Sequence, residues 1–339
     1  MDNPLISVIV PAYNAEKSIT KCIFSLLRQN IKESYKIIIV NDGSTDDTLT
    51  EIKSFKDNPK ISIIDKKNEG VSIARNTALK NVNSKFVTFV DSDDFVDSNF
   101  LVDLYSGFKD AKDVDLTISG FRKLNTNNKL LEEYKFSNVT RSAEDVISLL
   151  LNETGPQGYL WNKMFRTSII KKYSLLLDPK IFMAEDLLFC IQYLKFSKKV
   201  RVSNYCDYNY VQDSNSMNGG LSFTKNNRRY KKIFNNYFFA LNKILNEIKN
   251  NPKKYSLAII NVKARLAREY SIFLRLLLLN NDKNKKLQKE VYWQAYKLKR
   301  YVFKSKSIPV SKKMFFACTI YCPHLVHISD EARFSWERN

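Results

Sequence analysis

The sequence predicts an α/β protein whose first 220 residues form a mostly parallel sheet covered by helices on both faces. Two observations lead to this prediction. Short apolar runs recur through the first 120 residues, and segments with the spacing of an amphipathic helix lie between them. Within the runs, apolar and polar residues do not alternate, which is typical of parallel strands that are buried on both faces. Successive strand–helix–strand units then favour right-handed crossovers.

The predicted elements follow a regular order up to about residue 120. Strands are predicted at Ile6–Val10, Ile37–Val40, Ile61–Ile64, Phe86–Val90 and Val114–Ser119. Helices are predicted at Ile19–Leu27, from Thr45 onward, and at Val71–Leu79. Beyond residue 120 the pattern predicts a polar hairpin or surface excursion, two helices and two closing strands: Arg122–Phe136, Ala143–Leu151, Glu185–Leu194, Val200–Val202 and Tyr205–Val211.

The chain changes character near residue 220. Residues 1–220 contain 29 Lys and Arg against 28 Asp and Glu, whereas residues 221–339 contain 26 against 7. The second part therefore carries +19 of the formal net charge of +20. Helical spacing is predicted there at Ile233–Ile248, Tyr255–Leu279 and Leu287–Phe303. We therefore predict one domain over residues 1–220 and a basic, mainly helical domain over residues 221–339.

Composition argues against several kinds of site. Only 8 glycines occur, so a glycine-rich phosphate loop is not expected. The five cysteines include no CxxC pair, and a small apolar face at Cys318 and Cys322 is preferred over a metal site with His324 and His327. An odd number of cysteines does not favour a complete disulfide framework, so a reducing cytoplasm is expected.

The basic part has several open interpretations. It is expected to dock on an anionic membrane surface, with Met314–Ile328 lying in the interface. The alternatives are binding of an anionic polymer acceptor, a solvated appendage packed on the first domain, and binding of nucleic acid, which is the least favoured. No segment approaches the ~18 apolar residues of a membrane span, and no cleavable leader is evident. The expected location is cytoplasmic, peripheral on the inner face of the plasma membrane.

Acidic residues follow two of the predicted strands. Asp42 lies in the turn after the second strand, and Asp91, Asp93 and Asp94 follow the fourth. Ligands of parallel sheets bind outside the carboxyl ends of the strands. Clustered carboxylates repel one another unless a cation intervenes, and Mg²⁺ or Mn²⁺ prefers such oxygen ligands together with substrate phosphates. The alternative is a solvated acidic turn that caps the next helix at residues 97–98.

Six segments in order resemble the family 2 glycosyltransferases. They are Ser7–Asn14, Ile38–Asp46, Asn68–Asn76, Phe89–Asp94, Leu160–Phe165 and Ala184–Phe189. The resemblance covers residues 5 to about 217 and implies a GT-A fold, a Rossmann-like α/β domain. It implies an inverting, metal-dependent hexosyl- or N-acetylhexosaminyltransferase. Such an enzyme would move a sugar from a UDP-sugar to a hydroxyl of a cell-surface glycan acceptor, lipid-linked or an anionic polysaccharide.

The resemblance also implies roles for individual residues. The nucleotide-sugar site is expected to contain Pro11, Tyr13, Asn14, Asp42, Asn68, Arg75, Asp91 and Trp161. Within it, Asp42 would read the base and Arg75 would lie near the diphosphate, where a guanidinium stabilises leaving-group charge. Asp93 would bind Mn²⁺ or Mg²⁺ directly, while Asp91 would hold the ribose or a metal-bound water.

Inverting transfer needs a base for the acceptor hydroxyl but no enzyme nucleophile. Asp186 matches the family's general base, and Glu185 is its rival. In some relatives a His beyond the base completes the metal site. Here the histidines lie far downstream, so the metal is expected to depend mainly on Asp93 and the diphosphate.

Alternative interpretations remain for single residues and for the whole chain. Trp161 either stacks on a sugar or belongs to the core, and Arg75 either contacts the donor or pairs with a neighbouring carboxylate. Asp94 would position acceptor or a loop. A processive synthase is disfavoured because the sequence has no QxxRW motif. The remaining rival is a catalytically inactive nucleotide-sugar-binding or membrane-anchoring module, against which the presence of Asp93 and Asp186 argues.

Overall fold

The computed structural model describes residues 3–109, 113–152, 155–212 and 229–322. The chain divides into two compact units. The first consists of Met1–Val146 and Gly158–Gly219, and the second of Ile147–Gln157 and Gly220–Asn339. Residues 147–157, which the sequence analysis assigned to the first domain, thus group with the helical unit.

The first unit contains two sheets. Their strands are β1 (Ile6–Ala12), β2 (Tyr35–Asp42), β3 (Ile61–Lys66), β4 (Phe86–Phe89), β5 (Phe95–Val96), β6 (Val114–Ile118), β7 (Phe121–Asn125), β8 (Leu130–Tyr134), β9 (Val139–Ser142), β10 (Lys163–Arg166), β11 (Lys199–Val202) and β12 (Tyr208–Gln212). The helices up to residue 212 are α1 (Ile19–Leu27), α2 (Thr48–Lys53), α3 (Val71–Lys80), α4 (Phe100–Lys109), α5 (Ala143–Leu150), α6 (Thr167–Lys172) and α7 (Glu185–Leu194).

The larger sheet has the strand order β3-β2-β1-β4-β10-β6-β11-β9. Strands β1 to β4 pair in parallel, as the sequence predicts. The short strand β10 pairs antiparallel with both β4 and β6, and β9 pairs antiparallel with β11. Neither of these antiparallel strands was predicted. All seven residues of β1 are buried, which explains why its sequence shows no alternation.

The smaller sheet has the order β5-β12-β7-β8. Strands β7 and β8 form an antiparallel hairpin. Of the two alternatives predicted for the polar segment Arg122–Phe136, a hairpin or a surface excursion, the structure therefore shows the hairpin. Strand β12 pairs with β5, which follows the acidic turn at residues 91–94 directly. This pairing places residues 208–211 of β12 close to that turn, where Tyr208 and Val211 contact Asp94.

The second unit is helical where it is described. After residue 228 it contains α8 (Tyr230–Ile248), α9 (Ser256–Leu279), α10 (Lys285–Lys304) and α11 (Val310–Tyr321). A core cluster joins Ala264 and Ala267 of α9 to Val302 of α10 and to Phe316 and Ile320 of α11. Three of these helices match predicted ones within a few residues, whereas α11 was expected only as an apolar interfacial segment. No helix among the described residues is both long and apolar enough to cross a bilayer.

Candidate active site

The carboxyl ends of β1 and β2 are tied together by a polar turn. Asn14, which has a left-handed φ of 48°, accepts a hydrogen bond from the backbone N–H of Thr45 at 2.9 Å. Its own N–H donates to the Ser44 hydroxyl at 3.1 Å. Beside this turn Pro11 is buried, and Tyr13 exposes half of its surface. Pro11, Tyr13 and Asn14, which were predicted to line the nucleotide pocket, therefore form a fixed ledge on which the ring of Tyr13 is accessible.

Asp42 holds the loop that follows β3. Its carboxylate accepts hydrogen bonds from the Lys66 ammonium at 2.8 Å and from the backbone N–H groups of Glu69 and Gly70 at 3.1 and 2.8 Å. Only 4% of the side chain is exposed. The geometry thus gives Asp42 a definite role in shaping the loop that carries the exposed Asn68, whereas its predicted contact with a base stays a prediction.

Gly43 lies where the turn after β2 closely approaches the loop after β3. Its φ is +66°, and a Cβ there would lie 2.5 Å from the backbone nitrogen of Asn68. Gly70, at the start of α3, has a φ of +94° but nothing within 4 Å of the position of a Cβ. Both positions are strained for an L side chain, but only Gly43 also presents a backbone clash.

We expect Gly43→Ala to destabilise the protein by about 3 kcal/mol and Gly70→Ala by about 1 kcal/mol, because the clash adds to backbone strain only in the first variant. Denaturant unfolding measures both. Equal losses in the two variants would contradict the close approach of Gly43 to Asn68.

A buried guanidinium joins three elements at the centre of the site. Arg75 of α3 donates to Asp91 at 2.8 Å and to Glu185 at 3.3 Å. Burial alone would lower the pKa of Arg75, but the negative charges of Asp91 and Glu185 raise it overall. The alternative interpretation of Arg75 was a surface helix residue that pairs with Glu69 or Asp91. Arg75 does pair with Asp91, but it is buried. The bridge also brings the start of α7 to the end of β4.

Asp186 follows Glu185 in the first turn of α7. Its Oδ1 accepts the N–H of Leu187 at 2.8 Å. Burial and the adjacent charge of Glu185 raise the pKa of Asp186 to about 7, although the cations of Arg75 and Lys163 act in the opposite direction. Helix α7 starts after Ala184, which has a left-handed φ of 65°. A carboxylate with a pKa raised in this way is able to accept a proton near neutral pH.

The acidic turn after β4 separates its carboxylates by environment. Asp93 is exposed and Asp91 half-buried, whereas only 2% of Asp94 is accessible. Asp94 accepts hydrogen bonds from the Tyr208 hydroxyl at 2.6 Å and from the N–H of Val211 at 2.7 Å. Burial and the nearby charges of Asp93 and Asp91 raise the pKa of Asp94 well above its usual range. Asp94 therefore fixes the turn to β12, which leaves Asp91 and Asp93 as the candidate ligand pair.

Those two carboxylates suit a metal that is shared with a substrate. Within the part of the chain that the structure describes, no group of three or more His, Cys, Asp or Glu side chains is arranged to hold an ion. Magnesium-like ions are commonly held by one or two carboxylates plus substrate phosphates, and Asp91 with Asp93 offers that donor set. His324 and His327 lie outside the described residues.

Trp161 lies in an aromatic core stack. It is 5% exposed and stacks on Tyr159 and Tyr208 with ring centroids 4.7 and 4.3 Å apart. Phe121 meets it edge-on at 4.8 Å. The structure therefore favours the core alternative for Trp161, because little of its surface is accessible to a sugar, and its role in donor binding stays a prediction.

Two buried polar side chains of this region were not assigned from sequence. Lys163 is fully buried, and its ammonium donates to the carbonyl of Tyr159 at 2.6 Å and to Asn162 at 2.8 Å. Burial lowers the pKa of Lys163 to about 8. Tyr208 is the second, since its hydroxyl also accepts the N–H of Asp91 at 3.2 Å. Sequence offered a signal for Lys163 alone, which lies in the Leu160–Phe165 segment of the family resemblance.

Fold and site together define an α/β domain with clustered carboxylates at the carboxyl edge of its parallel strands, and sequence comparison identifies its family. Residues 7–174 match the profile of Glycosyl transferase family 2. The chain therefore contains a domain of glycosyl transferase family 2.

Three individual proteins illustrate the relationship. The uncharacterized glycosyltransferase EpsJ of Bacillus subtilis strain 168 is 31% identical over 63% of this chain and 63% of its own length. A poly(ribitol-phosphate) beta-glucosyltransferase of Bacillus spizizenii is 32% identical over 61% of this chain and 32% of its own. The chain therefore spans less than two thirds of either relative.

The crystal structure of residues 1–349 of S. aureus TarS in complex with UDP-GlcNAc superposes with a TM-score of 0.64 at 22% identity. The superposition covers 88% of this chain and 81% of that one. It confirms the predicted GT-A fold class.

Proposed function

We propose that the protein is an inverting glycosyltransferase that moves a sugar from a UDP-sugar to a hydroxyl of a cell-surface glycan. The observation that carries the proposal is the bridge of Arg75 to Asp91 and Glu185. It joins the candidate diphosphate side of the site, at the end of β4, to the candidate base at the start of α7. Donor and acceptor chemistry would thus meet around one guanidinium.

Asp186 is the proposed general base. The acceptor hydroxyl attacks the anomeric carbon from the face opposite the diphosphate, and Asp186 takes its proton. The bond between the anomeric carbon and the diphosphate oxygen breaks, and its electron pair leaves with UDP. Glu185 is less suited to accept a proton because it is already paired with Arg75. Arg75 itself would stabilise charge that develops on the departing diphosphate.

The proposed donor is a UDP-hexose or UDP-N-acetylhexosamine. TarS, which shares the fold, has been crystallised with UDP-GlcNAc, and the B. spizizenii relative is by name a glucosyltransferase. In this chain the ledge of Pro11, Tyr13 and Asn14, the Asp42-held loop with Asn68, and Asp91 would surround the nucleotide. The exposed ring of Tyr13 suits contact with the base.

Asp93 and Asp91 would hold Mn²⁺ or Mg²⁺ when the donor is bound. Such an ion supplies positive charge that neutralises a diphosphate. Asp93 is the proposed direct ligand, because its side chain is exposed and Asp91 is partly buried.

The proposed acceptor is a lipid-linked glycan or an anionic polysaccharide. The B. spizizenii relative is by name a poly(ribitol-phosphate) glycosyltransferase, which supports a phosphate-bearing polymer. The net charge of +19 over residues 221–339 is suited to such a partner and to an anionic membrane surface. We propose that the enzyme works peripherally at the inner face of the plasma membrane.

The proposal is tested by a donor screen on the full-length protein. Release of UDP from a panel of UDP-, dTDP- and GDP-sugars would be followed with Mn²⁺, Mg²⁺ or EDTA. We expect cleavage of a UDP-sugar only with metal, and a loss of about 10²-fold or more in Asp93→Ala.

Asp57→Ala, which removes an exposed carboxylate elsewhere in the same unit, serves as the control and should keep full activity. Binding of the same donors, measured by calorimetry, separates a missing acceptor from a wrong assignment. Donors that neither bind nor react would refute the proposed function.

A further inference from the structure

Helix α10 carries a basic stripe along its exposed face. Its members are exposed and follow one another at spacings of three or four residues: Lys286, Lys289, Trp293, Lys297, Arg300 and Lys304. The opposite face is buried through Val291, Ala295 and Val302. Side chains at this spacing lie on one side of a helix, so the stripe presents five cations and one large aromatic ring to solvent.

Helix α11 exposes an apolar face instead of a polar one. Val310 and Met314 expose 71% and 64% of their surface, and Phe315 and Tyr321 are also accessible. The buried face consists of Phe316, Thr319 and Ile320. None of the residues that the structure describes covers this aliphatic and aromatic face of α11. Its exposure to water is therefore unfavourable in free energy.

The two surfaces are contiguous. The Lys313 ammonium of α11 donates to the carbonyl of Phe303 in α10 at 3.2 Å. Lys299 lies 3.5 Å from the ring centroid of Tyr296 and 5.3 Å from that of Tyr321. On the other side of α11, Arg275 of α9 lies 4.0 Å from the ring of Phe315. Cations therefore border the apolar face of α11 on both sides.

Acidic groups are almost absent from these two helices. From Lys285 to Tyr321 the chain contains ten Lys and Arg and a single carboxylate, Glu290. A surface that combines exposed aliphatic side chains with a cationic border is complementary to a bilayer whose headgroups are negatively charged.

We propose that the α10–α11 surface docks on an anionic lipid bilayer, with Val310, Met314 and Phe315 inserted among the acyl chains. The basic stripe of α10 contacts the headgroups. A soluble polyanion would account for the cations but not for the exposed Val310 and Met314, whose burial requires an apolar phase. The assignment deepens the membrane association included in the proposed function, but it does not depend on the transfer reaction.

Vesicle binding by the full-length protein tests the assignment. Sedimentation with phosphatidylglycerol–phosphatidylcholine vesicles should show binding that pure phosphatidylcholine vesicles do not. Lys297→Ala/Arg300→Ala should weaken it by about tenfold or more, since each cation near an anionic surface contributes roughly fivefold. Val310→Ser/Met314→Ser should weaken it by about tenfold without any change in charge. The substituted side chains are exposed, and the only side-chain hydrogen bond they form within the described part of the chain is that of Arg300 to the Tyr301 hydroxyl, so the melting temperature should fall by no more than a few degrees.

The control variant Lys53→Ala/Lys56→Ala removes two exposed cations from the first unit and should bind vesicles within about twofold of the wild type. An equal loss in the control would reduce the effect to net charge and overturn the assignment. The assignment would also be overturned if soluble polyphosphate displaced the protein from the vesicles and Val310→Ser/Met314→Ser bound them as tightly as the wild type. That result would indicate a polyanion site. UDP release measured on the same samples is independent: an inactive protein with the expected lipid pattern would refute only the proposed reaction.

Discussion

Replacing Asp186 with Asn is expected to lower kcat by about 10³-fold while the affinity for the UDP-sugar stays within a few-fold of the wild type. The amide keeps the shape and the contact with the Leu187 N–H, but it cannot take the acceptor proton. The measurement is single-turnover transfer to acceptor alongside calorimetric binding of donor. A variant that loses donor binding as well would indicate that Asp186 supports the donor site and is not the base.

The same assignment fixes the direction of the pH profile. Asp186 must be ionised to act as a base, and its pKa is about 7, so kcat/KM should rise with pH and level off above about 7. The charged groups facing Asp186 are Glu185, Arg75 and Lys163. Glu185→Gln removes a negative charge that raises the pKa of Asp186, so its profile should move to lower pH. If Glu185→Gln is inactive and Asp186→Asn active, the two roles are exchanged.

Sequence identified the edge of the sheet at which the chemistry is proposed, for a physical reason. Parallel strands end at one edge, so Asp42 and the carboxylates after β4 had to lie on the same side of the sheet. The different roles of the adjacent Asp93 and Asp94 were implied only by the family resemblance, and the sequence did not predict their difference in burial. Their difference depends on Tyr208 and Val211, which approach from more than a hundred residues away.

The missed features share that origin. Trp161 was open between sugar and core because one of its stacking partners, Tyr208, becomes a neighbour only when β12 joins the smaller sheet. The antiparallel strand β10 is four residues long, which is too short for a periodic pattern. It overlaps Leu160–Phe165, one of the six segments of the family resemblance. The Arg75–Glu185 pair joins residues 110 positions apart, beyond any local pattern.

Arg75→Met is expected to affect stability and activity together. The guanidinium compensates two carboxylates whose side chains are 28% and 12% exposed, Asp91 and Glu185. Removing one member of a largely buried ionic group leaves the others uncompensated, so we expect a loss of about 3 kcal/mol in the free energy of unfolding. The kcat/KM should fall by about 10²-fold or more, because charge on the departing diphosphate loses its neighbour. Chemical denaturation and steady-state kinetics measure the two effects.

The pH profile and a second substitution separate the two roles of Arg75. Its positive charge lowers the pKa of Asp186, so the rise of kcat/KM in Arg75→Met should move above pH 7. In Arg75→Met/Glu185→Gln one uncompensated charge is gone, so part of the stability should return while kcat/KM stays low. Recovery of both would mean that Arg75 acts only as a structural bridge. The wild-type geometry argues against that, because the buried Nε of Arg75 has no hydrogen-bond partner among the described residues. Such a group costs about 1–3 kcal/mol, a cost more readily retained in a binding site than in a purely structural pair.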